Sequence, residues 1–267
     1  YQGRMYLNGL KEANGDIIAF LDDDDAYEPG KLEYVYNVFS QNPDVGYLQH
    51  SFTTVGADGS PMPSLAREAP RNLMSQVELK LTWSEVSRYR EYGYLDPILY
   101  IFRGFRLYPD RNGTAIAVRR ELLDRHIDLL GRLPVVIDGF LFASAIADKS
   151  SMLFSDAKLS TWTYHGSNFV SRLQLRSDSP EEVERFLRLH YNHYLSYDII
   201  GQRLLDYYPN YYVCLSEKHK LAYLGIARRL GLPVSSPSPD AETIEWCCAN
   251  GICPSELFIY LSSPVKQ

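Results

Sequence analysis

The chain has 267 residues, of which 45% are hydrophobic and 22% are charged, a composition typical of a globular enzyme and unlike that of a disordered segment. Its formal net charge of -6 argues against nucleic acid as a partner, because phosphate binding requires a clustered basic surface. No apolar run reaches the roughly 18 residues that a membrane-spanning helix needs, so we expect a cytoplasmic protein and leave peripheral membrane contact open.

The first elements are a helix, a buried strand, an acidic loop and a second helix. Residues 4–14 are predicted to be helical and to end at Asn14-Gly15, where glycine tolerates the left-handed conformation that stops a helix. Residues 16–21 form a nearly continuous apolar run, which is typical of a strand buried on both faces of a parallel sheet. Asp22–Asp25 follow this strand, and the second helix is predicted from near Pro29. Because the opening residues already resemble a helix interior, we expect the chain to lack part of its N-terminus.

The later pattern changes from mixed elements to helices. From Pro180 onward the sequence is amphipathic and predicts long helices. We therefore predict an α/β domain over residues 1–175 and a helical annex over residues 176–267. Between the second helix and the annex we predict a strand at 45–55 with a turn at 56–61, a helical or irregular segment at 72–92, a strand at 98–102, a buried strand at 113–118, and helices at 119–130 and 139–147.

The acidic run is the first candidate site. Four successive carboxylates repel one another, and a folded chain keeps such a cluster mainly when a cation compensates it. If the run continues the strand, Asp22 and Asp24 point to one side and Asp23 and Asp25 to the other. Two carboxylates can hold Mg²⁺ or Mn²⁺ when substrate phosphates complete the coordination shell. The alternative is a solvated loop that caps the next helix.

The stretch from Gly9 to Asp25, continuing through Tyr27-Glu28-Pro29 and Lys31-Leu32-Glu33, resembles glycosyltransferase family 2, which has the GT-A fold. This resemblance implies a central, mostly parallel sheet flanked by helices. It also implies that Asp22 and Asp24 bind the metal and the ribose-diphosphate part of a nucleotide-sugar donor. Asp23 and Asp25 are assigned to the same donor site.

The resemblance extends to a candidate base. Residues 113–121 are similar to the strand and helix that precede the acceptor side in this family, and Asp138 stands where the family places its acidic catalytic residue. That residue is usually preceded by Glu, which is replaced here by Ile137. The resemblance implies that Asp138 takes the acceptor's proton, whereas its position before a predicted helix also suits an N-cap.

A histidine is the last candidate site residue. The segment Tyr164-His165-Gly166-Ser167-Asn168 resembles the late His-x-x-Asn segment of the family, which implies that His165 lies near the metal or diphosphate. The alternative is a structural histidine, which is also our interpretation of His190 and His193. The chain departs from the family at Met5-Tyr6-Leu7-Asn8-Gly9, where Ala-Arg-Asn-x-Gly is common, and two strands that hold the nucleotide base are expected to be missing.

The resemblance therefore implies a metal-dependent, inverting transfer of a sugar from a nucleotide-diphosphate donor to an acceptor hydroxyl. The acceptor is a carbohydrate, a lipid-linked molecule or a glycoprotein. Two alternatives stay open. A nucleotidyltransferase also places carboxylates and a metal at strand ends on an α/β sheet, and a non-catalytic carbohydrate-binding or scaffold fragment would carry the acidic loop only as a surface feature.

Overall fold

The computed structural model describes residues 2–62, 78–88, 112–166 and 179–201, together with positions 168, 177, 216, 219, 220, 223 and 224. The chain divides into two compact units, one running to His165 and the other beginning at Gly166. The boundary predicted after residue 175 stays a prediction. The strand predicted at 98–102 lies outside the described residues, as does most of the segment predicted at 72–92.

The first unit is a mixed α/β structure. Its described helices and strands are interspersed along the chain, which confirms the predicted α/β class. The strands are β1 (Ile17–Ala19), β2 (Ala26–Tyr27), β3 (Val45–Gly56), β4 (Glu78–Leu81), β5 (Ile116–Arg119) and β6 (Ser151–Tyr164). The helices are α1 (Gln2–Glu12), α2 (Lys31–Gln41), α3 (Trp83–Arg88), α4 (Arg120–Asp124), α5 (Ile127–Leu130) and α6 (Ile137–Ala147).

The described strands form one sheet in the order β1-β5-β3-β6-β2, with β4 also paired to β6. The long central pair β3–β6 is parallel, whereas the β1–β5, β3–β5, β2–β6 and β4–β6 pairs are antiparallel. The sheet is therefore mixed. An apolar run indicates that a strand is buried on both faces, but it does not encode the direction of the neighbouring strand.

Several predicted elements match the structure closely. The predicted helix at 4–14 is α1, the helix expected near Pro29 is α2, and the strand at 45–55 is β3. The predicted helix over 119–130 is instead two short helices, α4 and α5, separated at Arg125 and His126. The 14-residue strand β6 was not predicted at all.

Helix α2 packs one apolar face against the sheet. Val35, Val38 and Phe39 of α2 are buried against Leu48 of β3 and Leu153 of β6. These two strand residues are direct partners in the parallel pair, so the helix lies across the centre of the sheet. Its N-terminus is thereby fixed beside the loop that follows β1, which is the acidic run.

Two arginines connect the helices to the start of the sheet. Arg119 donates from Nε to the carbonyl oxygen of Val45 at 2.9 Å and from Nη2 to that of Phe39 at 2.8 Å. Arg120 donates from Nε to the carbonyl oxygen of Gly15 at 2.8 Å. Because hydrogen bonds from a charged guanidinium are strong and directional, these contacts hold the end of α2 and the entry to β1 against β5.

The second unit contains helix α7 (Pro180–Ile199), which confirms the helix predicted from Pro180. The hydroxyl of Ser179 accepts a hydrogen bond from the backbone N–H of Glu182 at 3.3 Å and so caps its N-terminus. His190 and His193 are buried on this helix, and His190 Nδ1 lies 3.0 Å from Nδ1 of His219. None of the described helices is long and apolar enough to cross a membrane.

Candidate functional site

The acidic run forms a tight turn beyond the end of β1. The backbone N–H of Asp25 donates to the carbonyl oxygen of Asp22 at 3.2 Å, which is the hydrogen bond of a four-residue β-turn. The predicted alternation of side chains along a strand is therefore wrong, because β1 ends at Ala19. In the turn, Asp23 is exposed, whereas Asp22 and Asp25 are partly buried.

Asp22 is held by two residues that are distant in sequence. The hydroxyl of Tyr6, on α1, donates to Asp22 Oδ1 at 3.1 Å, and the backbone N–H of Asp22 donates to the hydroxyl of Thr114 at 3.0 Å. Burial raises the pKa of the Asp22 carboxyl, and the negative charges of Asp24 and Asp23 raise it further, against the opposing hydrogen bond from Tyr6. A cation at this carboxylate would relieve both unfavourable effects.

Asp25 points into the unit toward β6. Its Oδ1 accepts a hydrogen bond from the backbone N–H of Thr163 at 3.1 Å. Burial raises the pKa of Asp25 to about 6, although hydrogen bonds from Thr114 and Thr163 lower it. Its Oδ2 is buried and has no hydrogen-bond partner within the part of the chain that the structure describes.

His165 lies beside the acidic turn. Its Nε2 is 2.9 Å from Oδ2 of Asp24, and both side chains are about one-third exposed, at 29% and 34%. His165 directly follows β6, and the pairing of β6 with β2 brings the two segments together. The structure therefore places His165 in contact with the predicted donor site, while its role there stays a prediction.

Asp138 lies in the first turn of α6. The N-cap of this helix is Val136, so the alternative of Asp138 as the N-cap residue is wrong, although Asp138 Oδ1 accepts a hydrogen bond from the backbone N–H of Gly139 at 2.9 Å. Val136 has a φ of 63°, which is rare for a β-branched residue and costs roughly 1–3 kcal/mol. The packing around α6 thus holds the chain in a strained conformation immediately before Asp138.

Tyr6 connects the two candidate regions. Burial raises the pKa of the Tyr6 hydroxyl, and the negative charges of Asp22, Asp138 and Asp25 raise it further. The acidic turn and Asp138 therefore both act electrostatically on this hydroxyl. The sequence identified Tyr6 only as a departure from the family pattern.

Lys31 is a further residue that sequence reasoning missed. It is only 1% exposed, its ammonium group donates to the carbonyl oxygen of Thr114, and Nζ lies 3.6 Å from the centre of the Tyr27 ring. Burial lowers the pKa of Lys31 to about 7, and the charge of Asp25 partly opposes this shift. A lysine at the first position of a helix that carries one apolar face gives no sequence signal of complete burial.

His50 is a second buried titratable group near Lys31. Its Nδ1–H donates to the carbonyl oxygen of Ser51 at 2.8 Å, and its Nε2 is buried without a partner among the described residues. Burial lowers the pKa of His50 to about 4, with a further contribution from the charge of Lys31. The folded chain therefore keeps this imidazole neutral.

We expect His50 to make the protein sensitive to mild acid. In the unfolded chain this imidazole binds a proton below its ordinary pKa of 6.5, whereas in the folded chain it binds one only near pH 4. The free energy of unfolding therefore decreases as the pH falls from 6.5 to about 4. The full difference corresponds to about 3 kcal/mol. Chemical unfolding at pH 7 and pH 4 should show this loss in the wild type and a smaller loss in His50→Gln. Equal losses in both proteins would contradict the assignment.

The residues of the turn fit a cation whose remaining ligands come from a substrate. They do not fit a cation that is bound by protein side chains alone. Among the described residues, no group of three or more His, Cys, Asp or Glu side chains could hold a metal ion. Asp22 and Asp24 supply two carboxylates, and burial, together with the charges of Asp24 and Asp23, raises the pKa of Asp22. Mg²⁺ is commonly bound by one or two carboxylates together with substrate phosphates, so the donor set suits this kind of site.

Comparison with known proteins identifies the segment that carries this turn. Residues 2–126, somewhat less than half of the chain, match the model of the family described as Glycosyl transferase family 2. Over this segment the chain is similar to glycosyl transferase family 2. It includes α1, the acidic turn, α2, β3 and β5, and the mixed sheet with flanking helices agrees with the GT-A-like fold expected for the family.

Two curated relatives match over shorter stretches. An uncharacterized glycosyltransferase of Haemophilus influenzae is 43% identical over 42 residues, which cover 16% of this chain and 14% of that protein. An uncharacterized glycosyltransferase of Nostoc sp. is 39% identical over 49 residues, which cover 18% of this chain and 15% of that protein. The chain therefore matches only about one-seventh of the length of these relatives.

Proposed function

We propose that the protein is a metal-dependent glycosyltransferase that moves a sugar from a nucleotide-diphosphate donor to an acceptor hydroxyl with inversion. The observation that carries this proposal is the acidic turn itself, in which Tyr6 donates to Asp22 at 3.1 Å and which lies within the segment that matches family 2. The candidate base Asp138 lies beyond the matched segment of residues 2–126, and its negative charge acts on the same Tyr6 hydroxyl that holds Asp22.

The donor would be held at the acidic turn. Asp22 and Asp24 would bind Mg²⁺ or Mn²⁺, and the bound cation would offset the negative charge that develops on the leaving diphosphate. Asp25 would belong to the same donor site, and its carboxylate also accepts a hydrogen bond from the backbone N–H of Thr163, which attaches the turn to β6. His165, at 2.9 Å from Asp24, would orient that carboxylate or contact a phosphate oxygen.

Asp138 would act at the acceptor. In a single displacement, the acceptor oxygen forms a bond to the anomeric carbon while the bond from that carbon to the diphosphate oxygen breaks. The diphosphate leaves with the bonding electrons, and the acceptor's proton passes to the Asp138 carboxylate. Its position in the first turn of α6, after the strained Val136, would fix the direction from which it approaches the acceptor.

The partners follow from this assignment. A nucleotide-sugar is the donor, and the acceptor is a carbohydrate, a lipid-linked molecule or a glycoprotein.

Release of nucleoside diphosphate tests the proposal. The protein should be incubated with UDP-, GDP-, CDP- and dTDP-sugars and Mn²⁺, with and without sugar acceptors. We expect one donor to release its nucleoside diphosphate, and this release should stop in EDTA. Release of pyrophosphate from a nucleoside triphosphate would instead indicate a nucleotidyltransferase, and the absence of turnover with every donor would contradict the proposal.

A further inference from the structure

The hydroxyl of Tyr6 occupies a fixed position beside the acidic turn. It donates to Asp22 Oδ1 at 3.1 Å, and its ring lies 5.4 Å from the ring of Phe20 between centroids. Phe20 belongs to the segment that connects β1 to the turn. The ring contact at Phe20 and the hydrogen bond at Asp22 therefore connect α1 to two positions at the start of the acidic turn.

The backbone at Gly113 closes the space around this hydroxyl. A Cβ atom at Gly113 would lie 3.1 Å from the Tyr6 oxygen and 3.8 Å from both carboxylate oxygens of Asp22. The first distance is tighter than ordinary carbon–oxygen contacts, so a side chain at this position would displace the hydroxyl. Glycine thus leaves just enough room for the hydrogen bond between Tyr6 and Asp22.

The charge of the group that donates the hydrogen bond to Asp22 also matters. A tyrosine hydroxyl is uncharged near pH 7, and here it donates its hydrogen to Oδ1 of Asp22. A neutral donor can orient a carboxylate without cancelling its charge, whereas a cation in the same place would compete with a metal ion. The arrangement therefore leaves the negative charge of Asp22 available to a ligand.

We propose that Tyr6 is a positioning residue of the donor site, whose hydrogen bond fixes Oδ1 of Asp22 and so presents the carboxylate to a cation–diphosphate ligand. This role rests on the proposed function. Partners that orient a ligating group from behind are worth about 10–100-fold in metal affinity.

Tyr6→Phe tests this role because it removes the hydroxyl and keeps the ring that contacts Phe20. Calorimetric titration with Mn²⁺ and each of UDP, GDP, CDP and dTDP should first identify the nucleotide that the wild type binds. We expect Tyr6→Phe to bind this nucleotide about 10–100-fold more weakly in Mn²⁺, with the residual binding in EDTA unchanged. If the Tyr6 hydroxyl only stabilised the fold, its removal would weaken nucleotide binding in EDTA as well as in Mn²⁺.

Tyr27→Phe is the matched control. The Tyr27 hydroxyl is also partly buried near the turn, but it donates to the backbone carbonyl oxygen of Phe20 at 2.7 Å and not to a carboxylate. We expect this variant to melt at a lower temperature and to keep the wild-type affinity in Mn²⁺. Gly113→Ala provides a second test at the same contact and should also weaken Mn²⁺-dependent binding, because its Cβ displaces the Tyr6 hydroxyl.

The outcomes separate the two proposals. Wild-type affinity in Tyr6→Phe, or an equal loss in Tyr6→Phe and Tyr27→Phe, would overturn the positioning role and leave the proposed function standing. If the wild type binds none of the four nucleotides in Mn²⁺, the proposed function fails and the role of Tyr6 fails with it. If Tyr6→Phe does not fold, Gly113→Ala takes its place in the test. A Gly113→Ala protein that melts at the wild-type temperature and keeps the wild-type affinity in Mn²⁺ would overturn the positioning role.

Discussion

Asp138→Asn is expected to lower the rate of sugar transfer by about 10²–10⁴-fold, the range that general base catalysis contributes. The substitution keeps the size and shape of the side chain and removes its ability to take a proton. The Asn side-chain oxygen can still accept the hydrogen bond from the backbone N–H of Gly139, so α6 should begin as before. Rates should be measured under single-turnover conditions with the donor that the release assay identifies.

Donor affinity should stay near the wild-type value in Asp138→Asn, because the acidic turn is unchanged. Asp128→Asn is the matched control, since Asp128 is an exposed acid in the first turn of the short helix α5. This control should transfer sugar at the wild-type rate. A normal rate in Asp138→Asn, together with a normal melting temperature, would remove Asp138 from the mechanism.

Much of the fold near the N-terminus could be predicted because its local signals agree with one another. Helix α2 carries an apolar face, and β3 is rich in residues that favour strands. Strand β6 was missed because its sequence, SMLFSDAKLSTWTY, has no simple alternation. Its pairing with β3 contains register shifts near Gln49 and Ser51, and such irregularities interrupt the period-2 pattern on which a sequence prediction depends.

The candidate site was predictable in its residue types but not in its geometry. The acidic run and its place after a strand were evident, whereas the turn that joins Asp22 to Asp25 depends on contacts with Thr114 and Thr163. These threonines are roughly 90 and 140 residues away along the chain. A periodicity argument uses neighbouring residues only, so it could not find such partners or the buried Lys31.

The largest binding effect is expected from Asp22→Asn combined with Asp24→Asn. The two substitutions remove both proposed cation ligands and should weaken Mn²⁺-dependent nucleotide binding on the order of 100-fold or more, since even the outer partners of metal ligands contribute about 10–100-fold. Fold stability should not fall, because burial and mutual repulsion already raise the pKa of Asp22 and disfavour its charged form.

Asp124→Asn combined with Asp128→Asn is the matched control. Both residues are exposed on α4 and α5, and the pair changes the net charge of the chain by the same amount. Any general electrostatic effect on the binding of an anionic nucleotide should appear equally in both double variants. A specific effect should appear only when the acidic turn is changed.

The central claim is that the acidic turn holds the donor diphosphate through a divalent cation, and calorimetric titration of Mn²⁺ with the preferred nucleoside diphosphate tests it most directly. We predict binding in the wild type and in Asp124→Asn/Asp128→Asn, and loss of the Mn²⁺-dependent part in Asp22→Asn/Asp24→Asn. Equal Mn²⁺-dependent binding in all three proteins would contradict the claim and remove the turn from the donor site.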